Sequence, residues 1–184
     1  MELLTNSRKY FKELKSLYVE AFPKEERKPF TFIKQLEQEG KCIIHTAVEN
    51  DKFIGLAIIL TDDKYALIDY LAVNPENRGS GIGTKILNEL KKTYKDKRLF
   101  LERETVLKDC ENAEQRSRRR KFYLNNGFSD SGIYVNVYTV DMTLMTYQSK
   151  ITFDSYSQFL KTVLGEKNFN KIKVQTSDFS DERL

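Results

Sequence analysis

Three groups of residues in this chain of 184 have types and spacings that could carry out chemistry. The first is a glycine-rich turn, Arg78-Gly79-Ser80-Gly81-Ile82-Gly83-Thr84, directly after the apolar segment Leu71-Ala72-Val73. The second is an aromatic pair ahead of a glycine, in Phe122-Tyr123-Leu124-Asn125-Asn126-Gly127-Phe128. The third is a set of carboxylates in or directly after predicted strands, namely Asp69, Glu102 and Glu104. These types suit phosphate binding and proton transfer.

The glycine-rich turn predicts a phosphate site. Glycines at 79, 81 and 83 remove Cβ atoms where the chain turns and approaches a ligand. The following helix contributes unpaired N–H groups and the positive end of its dipole, and Arg78 adds a charge. Three better-known motifs do not match. The dinucleotide fingerprint needs glycine where Thr84 stands, Walker A needs Gly-Lys-Ser/Thr where the chain has Gly83-Thr84-Lys85, and a nucleophile elbow needs glycine at position 78.

This turn closely resembles the pyrophosphate loop of the GNAT acyltransferase superfamily, written Arg/Gln-x-x-Gly-x-Gly/Ala. The order of elements from about Cys42 to Tyr147 fits that family too. The resemblance implies acetyl-CoA as co-substrate and a backbone N–H near Val73 that meets the oxyanion. It implies that the cofactor is bound by Leu71, Ala72, Val73, Arg78, Gly79, Ser80, Gly81, Ile82, Gly83 and Thr84. The alternative is a ligand-free strand-to-helix turn, which gives no reason for three alternating glycines.

Acetyl transfer to an amine requires a base, because an alkylamine with a pKa near 10 is neutral in about one molecule in a thousand at pH 7. Glu102 is the first candidate, since Leu101-Glu102-Arg103 resembles the Leu-Glu-x-Arg strand end of the family's ribosomal-protein branch. Asp69 is the second, because alternate residues of its strand can face the acceptor. Glu104 is the third.

The leaving thiolate requires an acid. The segment from Phe122 to Phe128 resembles the family signature Phe-Tyr-x-x-x-Gly-Phe, which implies that Tyr123 is the general acid. The structural alternative for Tyr123 is an aromatic ring packed in the core. For Glu102 it is an outward carboxylate that pairs with Arg98 or Arg103.

The helix before Tyr123 departs from the family pattern. Most members carry an asparagine seven residues before the tyrosine, and here that residue is Arg116. The densest positive run of the chain comprises Arg116, Arg118, Arg119, Arg120 and Lys121. Three interpretations stay open for this run: a solvated face with Glu114 four residues before Arg118, contact with the 3′-phosphate of the cofactor, or binding of nucleic acid or the ribosome.

Acceptor specificity is expected in the first helices, the Pro23 to Pro29 turn and the late strands. Side chains that could line this site are Glu20, Glu25, Glu26, Tyr134 and Tyr138. Carboxylates there would favour a cationic amine, whether a small molecule or a peptide terminus. Neither a membrane nor nucleic acid is the expected partner, and a homodimer is left open.

Composition predicts a cytoplasmic protein, and the order of the predicted helices and strands indicates the α+β class. Cys42 and Cys110 lack metal-ligand spacing, no metal is expected, and no apolar run reaches membrane-spanning length. A formal charge of +4 suits an anionic cofactor. We expect a GNAT-like domain over residues 1–150, with a mainly antiparallel sheet of six to seven strands flanked by helices. Residues 151–184 are expected to form a C-terminal helix and a tail that is loose beyond about Lys173.

The hydrophobic pattern places these elements. Helices are predicted around Tyr10 to Ala21, Phe30 to Glu39, Ile82 to Leu90, Cys110 to Asn126 and after Thr152. Strands are predicted at Cys42 to Val48, Phe53 to Leu60, Tyr65 to Val73, Arg98 to Arg103, Ile133 to Tyr138 and Asp141 to Tyr147.

The function expected from these residues is N-acyl transfer, in which a primary amine attacks the thioester of acetyl-CoA directly. His45 is the sole histidine and lies in an apolar strand, which leaves little for a covalent nucleophile system. The alternative is a non-catalytic protein on the same fold that senses CoA or associates with RNA or the ribosome.

Overall fold

The computed structural model describes residues 1–5, 7–24, 26–107, 110, 112–137, 139–178 and 181. The chain forms two compact units. The first comprises residues 1–61 and 68–95, and the second comprises residues 62–67 and 96–184. The boundary expected after residue 150 stays a prediction.

The first unit carries one strand, then two helices, then three consecutive strands and a further helix. They are β1 (Glu2–Thr5), α1 (Phe11–Ala21), α2 (Phe30–Gln38), β2 (Cys42–Glu49), β3 (Lys52–Thr61), β4 (Tyr65–Val73), a 3₁₀ turn (Pro75–Asn77) and α3 (Ile82–Thr93). The first three residues of β4 belong to the second unit. Strands β1 to β4 are neighbours in sequence order, and β2 pairs with both β1 and β3 antiparallel.

The core of this unit follows from the apolar periodicity of its helices. Leu14, Leu17 and Tyr18 repeat every three to four residues of α1 and are buried. Strand β3 is buried from Phe53 to Thr61, as a strand covered on both faces should be. Ile86 of α3 is fully buried. Helices α1 and α3 therefore pack on β3, and α2 packs on β2.

The second unit contains the remaining elements. They are β5 (Arg98–Glu104), α4 (Ala113–Asn125), β6 (Phe128–Val137), β7 (Val140–Tyr147), α5 (Phe153–Leu164), α6 (Glu166–Ile172) and β8 (Gln175–Thr176). The strand order is β5, β7, β6, β8, and β7 pairs antiparallel with both β5 and β6. Thr152 caps α5 through a reciprocal bond with Ser155, as its position predicts.

The α+β class with a mainly antiparallel sheet is confirmed, and the described residues contain eight strands rather than six to seven. Strand β6 begins at Phe128, five residues before the expected start at Ile133. The sequence predicts a loose tail beyond Lys173, and the described residues there include β8, which pairs with β6, and Asp181, which binds Arg103. No helix of the described residues is long and apolar enough to cross a membrane.

Candidate active site

Strand β4 delivers the chain to the glycine-rich turn. Its last residues, Leu71, Ala72 and Val73, lead through Asn74 into the 3₁₀ turn. The Asn74 N–H donates to the Ile54 carbonyl at 3.0 Å, and its Nδ2 donates to the Phe53 carbonyl at 2.9 Å. Asn74 thus fastens the end of β4 to β3 through both its backbone and its side chain.

The turn has the backbone shape that its glycines predict. Gly79 and Gly81 have φ values of 77° and 82°, in the left-handed region that favours glycine. Gly83 instead lies in the first turn of α3. Gly81 is the N-cap of α3 and no side chain caps the helix. The N–H groups of this first turn are therefore available to an anion.

Side chains around the turn stabilise it from within. The Ser80 hydroxyl donates to the Asn77 carbonyl at 2.6 Å, and Arg78 Nε donates to the Val73 carbonyl at 3.1 Å. The Arg78 side chain is exposed, so the rest of its guanidinium can reach a phosphate. The ten residues expected to bind the cofactor thus form one continuous strand–turn–helix segment in the first unit.

Gly55 supports this segment and was missed in the sequence. A Cβ atom built on Gly55 would lie 2.7 Å from the Ala72 carbonyl oxygen and 3.2 Å from Ile86 Cδ1. Only glycine lets β3 approach the end of β4 and α3 this closely. The signal was present, because a lone glycine inside an apolar strand indicates a close backbone approach.

Asp69 lies on β4, two residues before Leu71, and is ion-paired. Its two carboxylate oxygens accept hydrogen bonds from Lys28 Nζ at 2.7 and 3.0 Å, and its side chain is 5% exposed. The Lys28 N–H also donates to the Tyr70 hydroxyl, which donates to the Glu26 carbonyl, both at 2.9 Å. Strand β4 therefore holds the turn before α2 in place.

Glu102 lies half-buried in the middle of β5. The Tyr156 hydroxyl, on a side chain with no exposed surface, donates to Glu102 Oε1 at 2.7 Å. Arg103, one of the two partners considered from sequence, is bound to Asp130 at 2.8 Å and to Asp181. The other, Arg98, donates to the Tyr65 hydroxyl at 3.2 Å.

Tyr123 lies in the last turn of α4 and is half-buried. Its ring contacts Phe122 and Phe128, with centroids 5.2 and 5.9 Å apart. Burial raises the pKa of the Tyr123 phenol to about 12, and the charge of Arg119 opposes this shift. The phenol is therefore protonated at neutral pH, as a general acid must be.

Most of the arginine run on α4 is paired within the second unit. Arg116 lies 3.0 Å from Glu104 and also donates to the Thr105 carbonyl at 2.9 Å, while Arg119 pairs with the other Glu104 oxygen. Arg120 pairs with Asp130 at 2.6 Å. These contacts fasten α4 to its neighbouring strands. Arg118 forms the expected exposed pair with Glu114 at 3.5 Å.

The residues expected to choose the acceptor are dispersed. Glu20 is exposed on α1, and Glu26 precedes the paired Lys28. Tyr134 lies on β6, where its carbonyl accepts from the Ser177 N–H at 2.9 Å. Glu25 and Tyr138 lie outside the described residues. Asp69 and the cofactor segment belong to the first unit, whereas Glu102, Glu104 and Tyr123 belong to the second.

Residues 9–128 match the model of the acetyltransferase (GNAT) family, which is well over half of the chain. The chain belongs to this family. The matched span includes the whole glycine-rich turn and ends at Phe128, the last residue of the aromatic signature. The resemblance found in the motifs is thereby confirmed.

Two individual proteins similar to this chain carry acetyltransferase names. YjbC of Bacillus subtilis (strain 168), whose name assigns it as an acetyltransferase, is 34% identical over 109 residues, or 59% of this chain. The chain thus spans about half of that relative, 53% of its length. A GNAT-family structure from Bacteroides thetaiotaomicron superposes with a TM-score of 0.75 over 89% of this chain and 98% of its own, at 22% identity.

A second solved GNAT structure is an aminoglycoside 6′-N-acetyltransferase in complex with coenzyme A. It superposes with a TM-score of 0.63 over 83% of this chain and the full length of that chain, at 17% identity. At this identity the likeness concerns the fold.

Proposed function

We propose that this GNAT protein transfers the acetyl group of acetyl-CoA to a primary amine, which attacks the thioester directly. The observation that carries the proposal is the continuous segment from Leu71 to Thr84. Two left-handed glycines and an uncapped helix N-terminus present N–H groups there, beside the exposed Arg78. Such a cradle suits a pyrophosphate. The CoA named for the aminoglycoside acetyltransferase of the same fold supports this cofactor.

Glu102 is the better candidate for the base. Asp69 is occupied by Lys28, whose Nζ donates to both of its carboxylate oxygens, and the Asp69 side chain is 5% exposed. Glu102 accepts a hydrogen bond from the Tyr156 hydroxyl and is half-buried. In this proposal Asp69 holds the turn at Lys28, and Glu104 holds α4.

Tyr123 is the proposed acid. Its phenol has a pKa of about 12, whereas a thiol has a pKa near 8.5. Complete proton transfer to the thiolate would thus be uphill, so Tyr123 stabilises the departing sulfur through a shared proton. The only histidine, His45, is 2% exposed and its Nε2 lies 2.8 Å from the Tyr94 hydroxyl. It is therefore not accessible for activating a covalent nucleophile.

Two measurements test this function in sequence. The melting temperature should rise by roughly 5 °C with acetyl-CoA at about a hundred times its dissociation constant, and ATP should produce no comparable shift. A panel of primary amines is then screened for amine-dependent release of CoA thiol. Tyr123→Phe should lower kcat by about a hundredfold with little change in KM. Tyr10→Phe, which removes a hydroxyl bound to Asp51, is the matched control.

The rival is a GNAT protein that binds CoA without turnover. A melting shift without thiol release across the amine panel would favour this rival. A second form of the rival hypothesis, in which the arginine run binds RNA, has less support. Arg116, Arg119 and Arg120 already pair with carboxylates of their own unit. Steep salt dependence of RNA binding would restore it.

A further inference from the structure

A cavity of about 470 Å³ lies in the first unit, between β2 and the two helices α1 and α2. Its lining includes Arg8, Phe11, Phe30, Lys34, Glu37 and Ile44. None of its lining residues belongs to the glycine-rich turn, and Asp69 does not line it either. Its volume lies within the range of about 300 to 1,000 Å³ that small-molecule sites occupy.

One wall of the cavity is aromatic and accessible. The Phe11 side chain is 40% exposed, and its ring meets that of Phe30 edge to face, with centroids 5.6 Å apart. Ile44, which is 6% exposed, closes the bottom of this wall. An apolar group that enters the cavity would cover the exposed phenylalanine and gain the free energy of its desolvation.

The cavity also contains a carboxylate, Glu37, of which one oxygen is paired and the other is not. Glu37 is 12% exposed on its side chain and pairs with Lys34 through Oε2. Its Oε1 is buried and has no hydrogen-bond partner among the described residues. A carboxylate oxygen only accepts hydrogen bonds, so it suits a ligand that carries a hydrogen-bond donor. Rotation about χ3 of Glu37 turns Oε1 toward the cavity and moves Oε2 with it, and the flexible Lys34 side chain, which is 42% exposed, can follow that second oxygen.

A second charge is available at the edge of the cavity. The Arg8 side chain is exposed, and within the described part of the chain it forms no ion pair. Its planar guanidinium presents two parallel N–H groups that match the geometry of a carboxylate. The cavity thus offers an apolar wall, a site for a hydrogen-bond donor and a site for a carboxylate.

We propose that this cavity binds a small zwitterion with an apolar side chain, of the class of the hydrophobic amino acids. Its carboxylate binds Arg8, its ammonium donates to Glu37, and its side chain packs on Phe11 and Phe30. The inference does not depend on the proposed acetyl transfer, because it assigns a site that shares no residue with the transfer machinery.

Calorimetric titration of the full chain with L-phenylalanine, in the absence of acetyl-CoA, tests the chemistry of the site. Three analogues each remove one element: 3-phenylpropionate lacks the ammonium, phenethylamine lacks the carboxylate and glycine lacks the ring. We expect saturable binding of L-phenylalanine and affinities lower by about tenfold or more for each analogue. No saturation by about 10 mM L-phenylalanine would overturn the proposal.

Variants of the full chain test the location. Arg8→Gln and Phe11→Ala should each weaken L-phenylalanine binding by about tenfold or more. Glu37→Gln should weaken L-phenylalanine but not 3-phenylpropionate, which has no ammonium. Lys15→Gln and Val19→Ala alter exposed residues of α1 outside the cavity lining and should leave the affinity unchanged. Binding that survives the first three substitutions would show that the amino acid binds elsewhere, for example as an acceptor amine.

Discussion

At the scale of single residues, the buried histidine makes stability depend on pH. His45 lies in an apolar strand, and desolvation lowers its pKa from 6.5 to about 4. Above pH 6.5 the imidazole is neutral in both states, so its contribution to stability is complete. Between pH 6.5 and about 4 the unfolded chain binds a proton that the folded chain does not, and stability falls by about 3 kcal/mol.

Denaturant titrations between pH 7 and 5 measure this slope. The chain has a single histidine, so His45→Gln should have a flatter dependence on pH in that window, whatever its absolute stability. Equal slopes for both proteins would rule out a neutral buried imidazole in the folded state.

Under the proposed mechanism Tyr156 is a positioning residue for Glu102, and the pH dependence of the reaction rate tests this role. A hydroxyl that donates to a carboxylate favours the charged form. Under the proposed mechanism, Tyr156→Phe should therefore shift the ascending limb of the pH–rate profile upward by about half to one pH unit. Glu102→Gln should lower the rate most at low pH, where a base matters most. An unchanged ascending limb in Tyr156→Phe would show that the Tyr156 hydroxyl does not affect the base. Tyr10→Phe is the control.

The partner of Glu102 could not be predicted from sequence, for a physical reason. Tyr156 follows Glu102 by 54 residues, and its apolar helical pattern only indicates a core position. Nothing local shows that its hydroxyl ends at a carboxylate. Arg116 and Arg119 posed the same difficulty, because their charge pattern fits a solvated face until Glu104 of β5 is placed beside them. By contrast, the left-handed conformations of Gly79 and Gly81 could be predicted, because the local glycine pattern alone indicates them.

At the scale of elements, the close approach of β3 to β4 shapes the cofactor segment. Gly55→Ala places a methyl group 2.7 Å from the Ala72 carbonyl oxygen, where backbone must move. We expect a loss of about 1 to 3 kcal/mol in the free energy of unfolding. The proposed acetyl-CoA affinity should fall as well, because β4 leads directly into the turn. Denaturation and a cofactor titration measure the two effects.

Gly165→Ala is the matched control for this substitution. Gly165 has a φ of 77°, and no atom lies within 4 Å of the position that a Cβ would occupy, so alanine there adds strain without a clash. It should lower stability and leave acetyl-CoA affinity unchanged. A cofactor affinity that falls equally in both variants would reduce the Gly55 effect to a general loss of stability.

Element boundaries could be predicted where the apolar pattern is long. They could not be predicted where pairing with a neighbouring strand decides the boundary. The apolar runs of β2, β3 and β4 were predicted to within a residue or two of their ends. The first residues of β6, Phe128 to Asp130, pair with β7 although this segment is short and only Phe128 in it is apolar. Strand β8 has only two residues, Gln175 and Thr176, whose pairing with β6 no local signal reveals.

At the scale of the whole molecule, the second unit depends on the C-terminal tail. Asp181, 9% exposed on its side chain, accepts from Arg103 Nη1 at 2.8 Å and from the Val106 N–H at 2.9 Å. Arg103 is 2% exposed and also binds Asp130, which pairs with α4 through Arg120. The tail, β5, β6 and α4 therefore share one cluster of charges, in which Arg103 and Asp181 are buried and Asp130 and Arg120 are partly exposed.

The pKa of Asp181 decides how the stabilisation by this cluster of charges depends on pH. Desolvation raises the pKa of this carboxyl, but the hydrogen bonds from Arg103 and the Val106 N–H outweigh it and hold the pKa below its ordinary value. The stabilisation is therefore present above about pH 4, where the unfolded carboxyl is ionised, and is lost as pH falls through the lower folded pKa. Asp181→Asn should lower the free energy of unfolding by about 1.5 to 3 kcal/mol at pH 7 and by less below pH 3. Asp178→Asn, an exposed change in the same tail, should stay within about 0.5 kcal/mol. If both variants match the parent protein at pH 7, the tail does not stabilise the unit, and Arg103 is satisfied by Asp130 alone.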